Sequence, residues 1–396
     1  MLAAAPVVRV NRKAADRIAN GHLWVFASDV TDRGEAQPGD AVRVVDTRGR
    51  NLGTAHYSST SQITLRLLSM HSEGGVNHGI GHAFLKRRIE AAAQLRARVV
   101  ENTTAYRLVY ADADWLPGLI IDRYGDYFAA QFLDQGMDRL APVIVEVLQE
   151  LYRPAAIVAR NDASVREKES LPLETKVLAG EVTGSVPIEM NGLRWMVDLL
   201  GGQKTGIFLD QRENYVAARQ YARGKVLDCF TATGGFALHL AALSQSVEAV
   251  DSSASALEAA RSNAALNQVT NVRFRQADVL EYLPAQVTAH RTFDTVIVDP
   301  PAFTKARGAV EGATRGYKEI NLRALRLLRG GGILMSCSCS QHMSEARLLE
   351  IILAAALDSG KRLRVIERRT QARDHPILLA MPETLYLKCM ILEVME

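Results

Sequence analysis

Apolar and polar residues alternate over short runs in the first 72 residues, the period-two pattern of half-buried strands. Ala41-Val42-Arg43-Val44-Val45 and Ile63-Thr64-Leu65-Arg66-Leu67 read as strands. Pro38-Gly39-Asp40 and Asp46-Thr47-Arg48-Gly49 supply turns, because Pro presets φ and Gly tolerates φ > 0. These runs predict a small β-barrel over residues 1–72. The spacing then lengthens. A helix is expected from near Gly81, with Lys86, Arg87, Arg88, Arg96 and Arg98 around an Ala/Leu stripe. Strands at 106–110, 118–122 and 127–132, a helix at 138–151 and a strand at 156–159 make residues 73–185 a central α/β domain.

From residue 186 onward, apolar strands alternate with amphipathic helices. A strand at 224–228 feeds a glycine turn and an Ala/Leu helix, and a strand at 247–251 precedes a helix over 254–267. Strands at 272–275, 295–299 and 332–336 follow, the last after a helix over 320–328. Repeated βα units require parallel pairing. Residues 186–396 are therefore expected to form a doubly wound sheet that takes its ligands at the carboxyl ends of the strands.

At 396 residues the chain is long enough for two or three domains. With 48% hydrophobic and 23% charged residues it is not a disordered, collagen-like or disulfide-scaffold chain. The net charge is only +3, so a polyanion must be held by local patches. Residues 1–72 carry nine Arg or Lys against six Asp or Glu, which fits a solvated barrel surface or one facing RNA. The basic helix after Gly81 is open to the same two readings. Four Cys make no disulfide framework, and a reducing cytoplasm is expected. The first residues lack the features of a secretory leader, and no run nears the length of a membrane span, so a soluble protein is expected.

Candidate chemistry gathers at strand ends. Asp228-Cys229-Phe230-Thr231-Ala232-Thr233-Gly234-Gly235 follows the first strand of the last domain. Paired glycines let backbone pass close to a ligand, and the helix start beyond offers free amides, although a plain βα turn needs no more than this. Asp251, ending the next strand, can accept both ribose hydroxyls of a nucleoside cofactor, and Asp278 on the same edge can take an adenine amino group. Either acid alone fits a helix N-cap; both at successive strand ends point to a nucleoside. Asp299-Pro300-Pro301-Ala302-Phe303 is more specific, because two prolines make a stiff rim that presents an acid, carbonyls and a ring to a planar base. Ser336-Cys337-Ser338-Cys339-Ser340 lies just past the fifth strand. Cys-x-Cys can bind zinc, but Cys229 and Cys389 supply no second pair at finger spacing, and no metal is expected. Buried inert thiols are the plain alternative; a strand-end cysteine facing an acid across a cleft reads instead as a nucleophile.

Residues 224–396 resemble class I S-adenosylmethionine-dependent methyltransferases, and almost the whole chain resembles the bacterial 23S rRNA (cytosine-5) methyltransferase I family. The resemblance is carried by the run from Lys204 to Arg212 (Lys-Thr-Gly-Ile-Phe-Leu-Asp-Gln-Arg), by Leu116-Pro117-Gly118-Leu119-Ile120-Ile121-Asp122-Arg123, and by the Thr-Gly-Gly-Phe turn ending at Phe236. The Asp-Pro-Pro-x-Phe rim, Arg315-Gly316-Tyr317-Lys318, Ser338-Cys339-Ser340 and Asp374-His375-Pro376 complete it. It implies an N-terminal PUA barrel, a central α/β domain and a Rossmann-like catalytic domain. It also implies a cytoplasmic homodimer that methylates cytosine C5 in large-subunit rRNA with S-adenosylmethionine.

The implied cofactor residues are Phe208, Gln211, Arg212, Asp228, Phe230, Thr233, Gly234, Gly235, Asp251, Asp278 and Asp299. The implied substrate residues are Pro300, Pro301, Phe303, Lys305 and Tyr317. By the resemblance, Cys339 is the thiolate that adds to cytosine C6, and Asp299 hydrogen-bonds the base edge and stabilises charge at N3. Ser336-Cys337-Ser338 is similar to the Thr-Cys-Ser of other RNA cytosine-5 methyltransferases, which keeps Cys337 as the alternative nucleophile.

Other functions use part of this set. A guanine-N7 RNA methyltransferase shares the Asp-Pro-Pro-x-Phe rim but needs no covalent cysteine, so Cys339 favours cytosine. A catalytically silent rRNA-binding assembly factor would not keep Gly234, Gly235, Asp251, Asp278 and Asp299 together. A small-molecule methyltransferase has no need of two preceding domains.

Overall fold

Strand pairing in the computed structural model, which describes residues 5–71, 79–202, 207–303 and 310–396, produces three sheets and one two-stranded ribbon. The chain divides into two compact units. One comprises Met1–Ile188, Val197–Gly206 and Asp374–Thr384; the other comprises Glu189–Met196, Ile207–Arg373 and Leu385–Glu396. The ribbon, Val186–Met190 with Leu193–Val197, lies where the chain passes between them. Among the described residues no helix is long and apolar enough to cross a membrane.

The first unit opens with a six-stranded sheet. Its spatial order is Trp24–Phe26, Ile63–Met70, Asn51–Tyr57, Ala41–Val45, Val7–Val10 and Val30–Asp32. Only Val7–Val10 with Ala41–Val45 pairs in parallel. Val8, Val10, Val42, Val44, Leu65 and Leu67 form its core. A five-stranded sheet follows, ordered Glu174–Gly180, Ala156–Asn161, Tyr127–Phe132, Leu119–Tyr124 and Ala105–Tyr110. Its single parallel pair, Tyr127–Phe132 with Ala156–Asn161, is bridged by helix Gln135–Tyr152, the crossover that parallel pairing needs.

Helix His82–Val99 buries Leu85, Ile89 and Ala92, and several of its cations turn inward. Arg96 is 1% exposed and pairs with Asp114. It also donates to the carbonyls of Arg107 (2.9 Å) and Asp374 (2.8 Å). Lys86 pairs with Glu150, and Arg88 stacks over the Phe84 and Trp115 rings. Arg87 and Arg98 stay exposed. The basic helix is thus largely a structural one. Segment Asp374–Thr384, which the sequence pattern leaves with the last domain, is grouped with this unit: Met381 joins the barrel core.

In the second unit a seven-stranded sheet has strands β1 (Lys225–Cys229), β2 (Ser246–Asp251), β3 (Val272–Gln276), β4 (Phe293–Val298), β5 (Leu328–Ser338), β6 (Leu363–Arg369) and β7 (Lys388–Val394). Helices α1 (Gly235–Ala241), α2 (Ala254–Leu266), α3 (Val279–Thr288), α4 (Val310–Leu327) and α5 (Glu345–Ser359) alternate with them. The spatial order is β3-β2-β1-β4-β5-β7-β6. Strands β1 to β5 are parallel, as expected, and β7 is antiparallel to both β5 and β6. The order reverses between β1 and β4, which opens a crevice at their carboxyl ends. Leu227, Val296, Val298 and Leu334 pack against Ile320, Leu348 and Ile351 of the helices.

Removing one partner of a buried ion pair leaves the other charge stranded, at about 3–5 kcal/mol. Arg96→Ala should therefore lower the stability of the first unit by about that much, read as a shifted denaturant midpoint.

Candidate active site

Every described residue of the site lies in the second unit. Register brings the strand ends together: Cys229 aligns with Val298, and Val298 with Ser336. The glycine turn and Asp299 therefore leave the sheet at the level of Ser336, while β5 runs on through Cys337 to Ser338.

The turn after β1 is organised by Asp228. This carboxylate is buried, and its Oδ2 accepts from Thr231 Oγ1 at 2.6 Å and from the Ala237 N–H at 3.0 Å. Its Oδ1 has no partner. Burial pushes Asp228 up to about 7, against the pull of the Thr231 and Ala237 hydrogen bonds, and the Asp299 and Asp251 charges add to the rise. Phe230 (φ 63°) and Ala232 (φ 48°) are left-handed without being glycine, while Gly234 takes φ 90° at the start of α1. Gly235 allows Tyr215 to approach: a Cβ there would meet the Tyr215 hydroxyl at 2.3 Å. Thr233 is half-buried beside this turn.

Asp251 is half-buried at the end of β2; its Oδ2 accepts from the Ala232 N–H and its Oδ1 from the Ser253 N–H, both at 2.9 Å. The turn and the acid are thus one construction. Asp278, exposed past β3, caps α3 through the Leu280 N–H at 2.8 Å. Both acids serve as turn or cap acceptors, and each retains lone pairs for a further donor.

Asp299 is half-buried, and its Oδ2 accepts from Gln211 Nε2 at 2.9 Å. Gln211 and Arg212 are buried, with Phe208 half-buried just before them. Gln211 also accepts from Asn214, so it reaches the site as the support of Asp299. Along the rim Pro300 is buried, Pro301 exposed and Phe303 half-buried. Lys305 and residues 204–206 of the Lys-Thr-Gly run lie outside the described residues.

Tyr317 departs from expectation. It is 1% exposed, its ring meets Phe303 edge-on at 4.9 Å, and its hydroxyl shares hydrogen bonds with Ser338 Oγ (2.8 Å) and Ser340 Oγ (3.1 Å). Its hydroxyl braces the Ser-Cys-Ser segment, and its ring is buried away from solvent.

The two cysteines of this segment differ sharply. Cys337 is fully buried opposite Cys389 in the β5–β7 pairing. A hydrogen bond with Cys389 and burial push its thiol well above the ordinary range. Cys339, one residue past the end of β5, is half-buried. Sequence reasoning missed Tyr215, the Tyr317 brace and the buried Lys388 of β7. A Lys inside the apolar run Leu387 to Leu392 was the available signal for the last of these. Among the described residues no group of three His, Cys, Asp or Glu side chains is placed to hold a metal.

The strand order, the crevice at the β1/β4 reversal and the acids along it define the fold of S-adenosylmethionine-dependent methyltransferases. Residues 8–70 match the PUA-like domain family and residues 222–374 the methyltransferase domain family. The chain is 38% identical over 382 residues to the ribosomal RNA large subunit methyltransferase I of Klebsiella pneumoniae (94% of each chain). It is 41% identical over 381 residues to that of Shewanella amazonensis (94% of this chain, 95% of the relative). The chain belongs to the ribosomal RNA large subunit methyltransferase I family. A solved putative methyltransferase complexed with SAH has the same fold, with a TM-score of 0.84 at 20% identity over 98% of this chain and 100% of that one.

Asp228 binds its proton more tightly folded (about 7) than unfolded (3.8), so its contribution to stability falls as pH rises from the lower value to the higher. Asp228→Asn should remove this slope. Its stability relative to the parent should rise between about pH 4 and about pH 7, by up to about 1.4 kcal/mol per unit, and level off above, in paired thermal melts.

Proposed function

We propose that this chain methylates cytosine C5 of large-subunit rRNA with S-adenosylmethionine, through a covalent adduct of Cys339. The observation that carries the reading is the contrast at the end of β5: Cys337 is sealed against Cys389, whereas Cys339 is half-exposed past the strand on the edge where Asp299 emerges.

The residues present fit the cofactor. Asp251, tied to the glycine turn, accepts ribose hydroxyls; Asp278, open to solvent, accepts an adenine amino group. The left-handed turn brings backbone N–H groups at the start of α1 to the crevice, while Asp228 takes that of Ala237. When bound there, S-adenosylmethionine supplies a methyl group on a sulfonium centre. The buried Gln211 and Arg212 support this wall from behind.

Cytosine C5 is a weak nucleophile. The Cys339 thiolate adds to C6 and places electron density on C5; after methylation, C5 loses its proton and the sulfur is expelled. Asp299 hydrogen-bonds the base edge and stabilises charge at N3 during addition. Pro300 stiffens the rim, while Pro301 and Phe303 face the base. A paired target must first leave its stack.

The barrel of 1–72 and the central domain of 73–185 contribute RNA affinity, with Arg87 and Arg98 among their exposed cations. A cytoplasmic homodimer is part of the same proposal.

Asp251→Ala should weaken S-adenosylmethionine binding about tenfold or more in calorimetry, because a hydrogen bond to a charged acceptor is worth about 1.5–3 kcal/mol. RNA containing 5-fluorocytosine traps the adduct, since fluorine blocks the final proton loss. The adduct and turnover should vanish in Cys339→Ala and persist in Cys337→Ala. Loss of the adduct in Cys337→Ala alone would move the nucleophile to Cys337. No adduct in any variant, together with methylated guanine, would overturn the cytosine mechanism.

A further inference from the structure

A cysteine attacks only as its thiolate, so the site must hold a negative sulfur at neutral pH. A buried cation is tied to the backbone of Ser340, the residue after Cys339. Lys388 begins β7 and lies opposite Ser338 in the antiparallel pairing with β5. Its side chain is 3% exposed, and Nζ donates at 2.7 Å to the carbonyls of Ser340 and Tyr386. An ammonium has three N–H donors, and among the described residues nothing accepts the third. Among the same residues no carboxylate forms an ion pair with it.

We infer that Lys388 is a positioning residue for Cys339: its ammonium, fixed by the Ser340 and Tyr386 carbonyls, is the countercharge that holds the neighbouring sulfur as a thiolate. This rests on the reading of Cys339 as the attacking group. Burial pushes Lys388 down to about 8, and the Cys339 charge acts in the opposite direction. At neutral pH the ammonium is still the majority form. The thiol proton therefore leaves to bulk water, and the pair formed is neutral overall.

Tyr317, Asp299, Cys337, Cys389 and Tyr386, described residues around this corner, carry no positive charge. Tyr317 of α4 is a buried phenol whose hydroxyl is taken up by Ser338 and Ser340; burial disfavours its ionisation, and the Cys339 and Asp299 charges add to this. Asp299 of the β4 edge is an anion held by Gln211. Cys337 and Cys389 are buried thiols, and Tyr386 donates to Asp210 at 2.7 Å. Of these, Lys388 alone is cationic.

The test compares full-length Lys388→Gln and Lys388→Met, which remove the charge, with Lys388→Arg, which keeps it. The rate of iodoacetamide alkylation of Cys339 is measured against pH without cofactor or RNA. Fragmentation of the labelled peptide separates it from buried Cys337, and thermal melts confirm folding. The Cys339 midpoint should rise by about one pH unit or more in Lys388→Gln and Lys388→Met and return close to the parent in Lys388→Arg. An unchanged midpoint in a folded charge-free variant overturns the inference. So does an equal rise in all three variants, which marks disturbed packing instead of lost charge. The assay needs no turnover. A shifted midpoint without any 5-fluorocytosine adduct overturns the nucleophile reading, whereas an adduct with an unshifted midpoint overturns the role of Lys388 alone.

Discussion

The site depends first on the parallel register of β1, β4 and β5. Because Cys229, Val298 and Ser336 are aligned, the glycine turn, Asp299 and the cysteine segment leave the sheet side by side. These strands are buried on both faces, with Val226, Ile297 and Met335 as inaccessible as Leu227, Val296 and Leu334, so a slip of one residue would exchange the packing partners of both layers. The register that buries these apolar residues is therefore the one that assembles the acid, the turn and the thiol. Packing and function share a single constraint.

A layer of buried polar groups then fixes what the register has gathered. Asp228 holds the turn through Thr231 and Ala237, and Asp251 holds the same turn from the next strand through Ala232. This double grip stabilises Phe230 and Ala232 in left-handed conformations that neither would adopt alone, a cost of order 1–3 kcal/mol for each residue. On the other side Tyr317 and Lys388 anchor Ser338 and Ser340, the two residues flanking Cys339. The reactive edge is thus held from α4 and β7, neither of which carries the thiol.

Much of this was legible in the sequence where period and punctuation agreed. The five parallel strands were readable as apolar runs, four of them closed or followed by an acid and the fifth by the Ser-Cys-Ser segment, as the structure places them. The antiparallel pair β6 and β7 was not. Lys388–Val394 is buried on both faces, so it shows no alternation, and Lys388 reads as a surface lysine until β5 is laid against it. Tyr317 belongs to a motif, yet only the packing of α4 shows that its hydroxyl points at the two serines. Arg96 gave the same false signal: a basic helical residue suggests a solvated face, while its partners Asp114 and Asp374 lie 18 and 278 residues along the chain.

The two cysteines of Ser-Cys-Ser-Cys-Ser show why motif and chemistry separate. Both sit between serines, two residues apart, and composition cannot rank them. The sheet does. Cys337 is still within β5, so β7 covers it and supplies Cys389 as a neutral partner, which disfavours its thiolate. Cys339 lies one residue past the strand, where β7 begins with Lys388 and the covering layer ends. The boundary of a strand decides which sulfur is sealed against a thiol and which is half-buried beyond it, next to the Ser340 carbonyl that Lys388 holds. A thiol near a cation loses its proton more readily than one sealed against another thiol, and the proposed division of roles between the two rests on that difference.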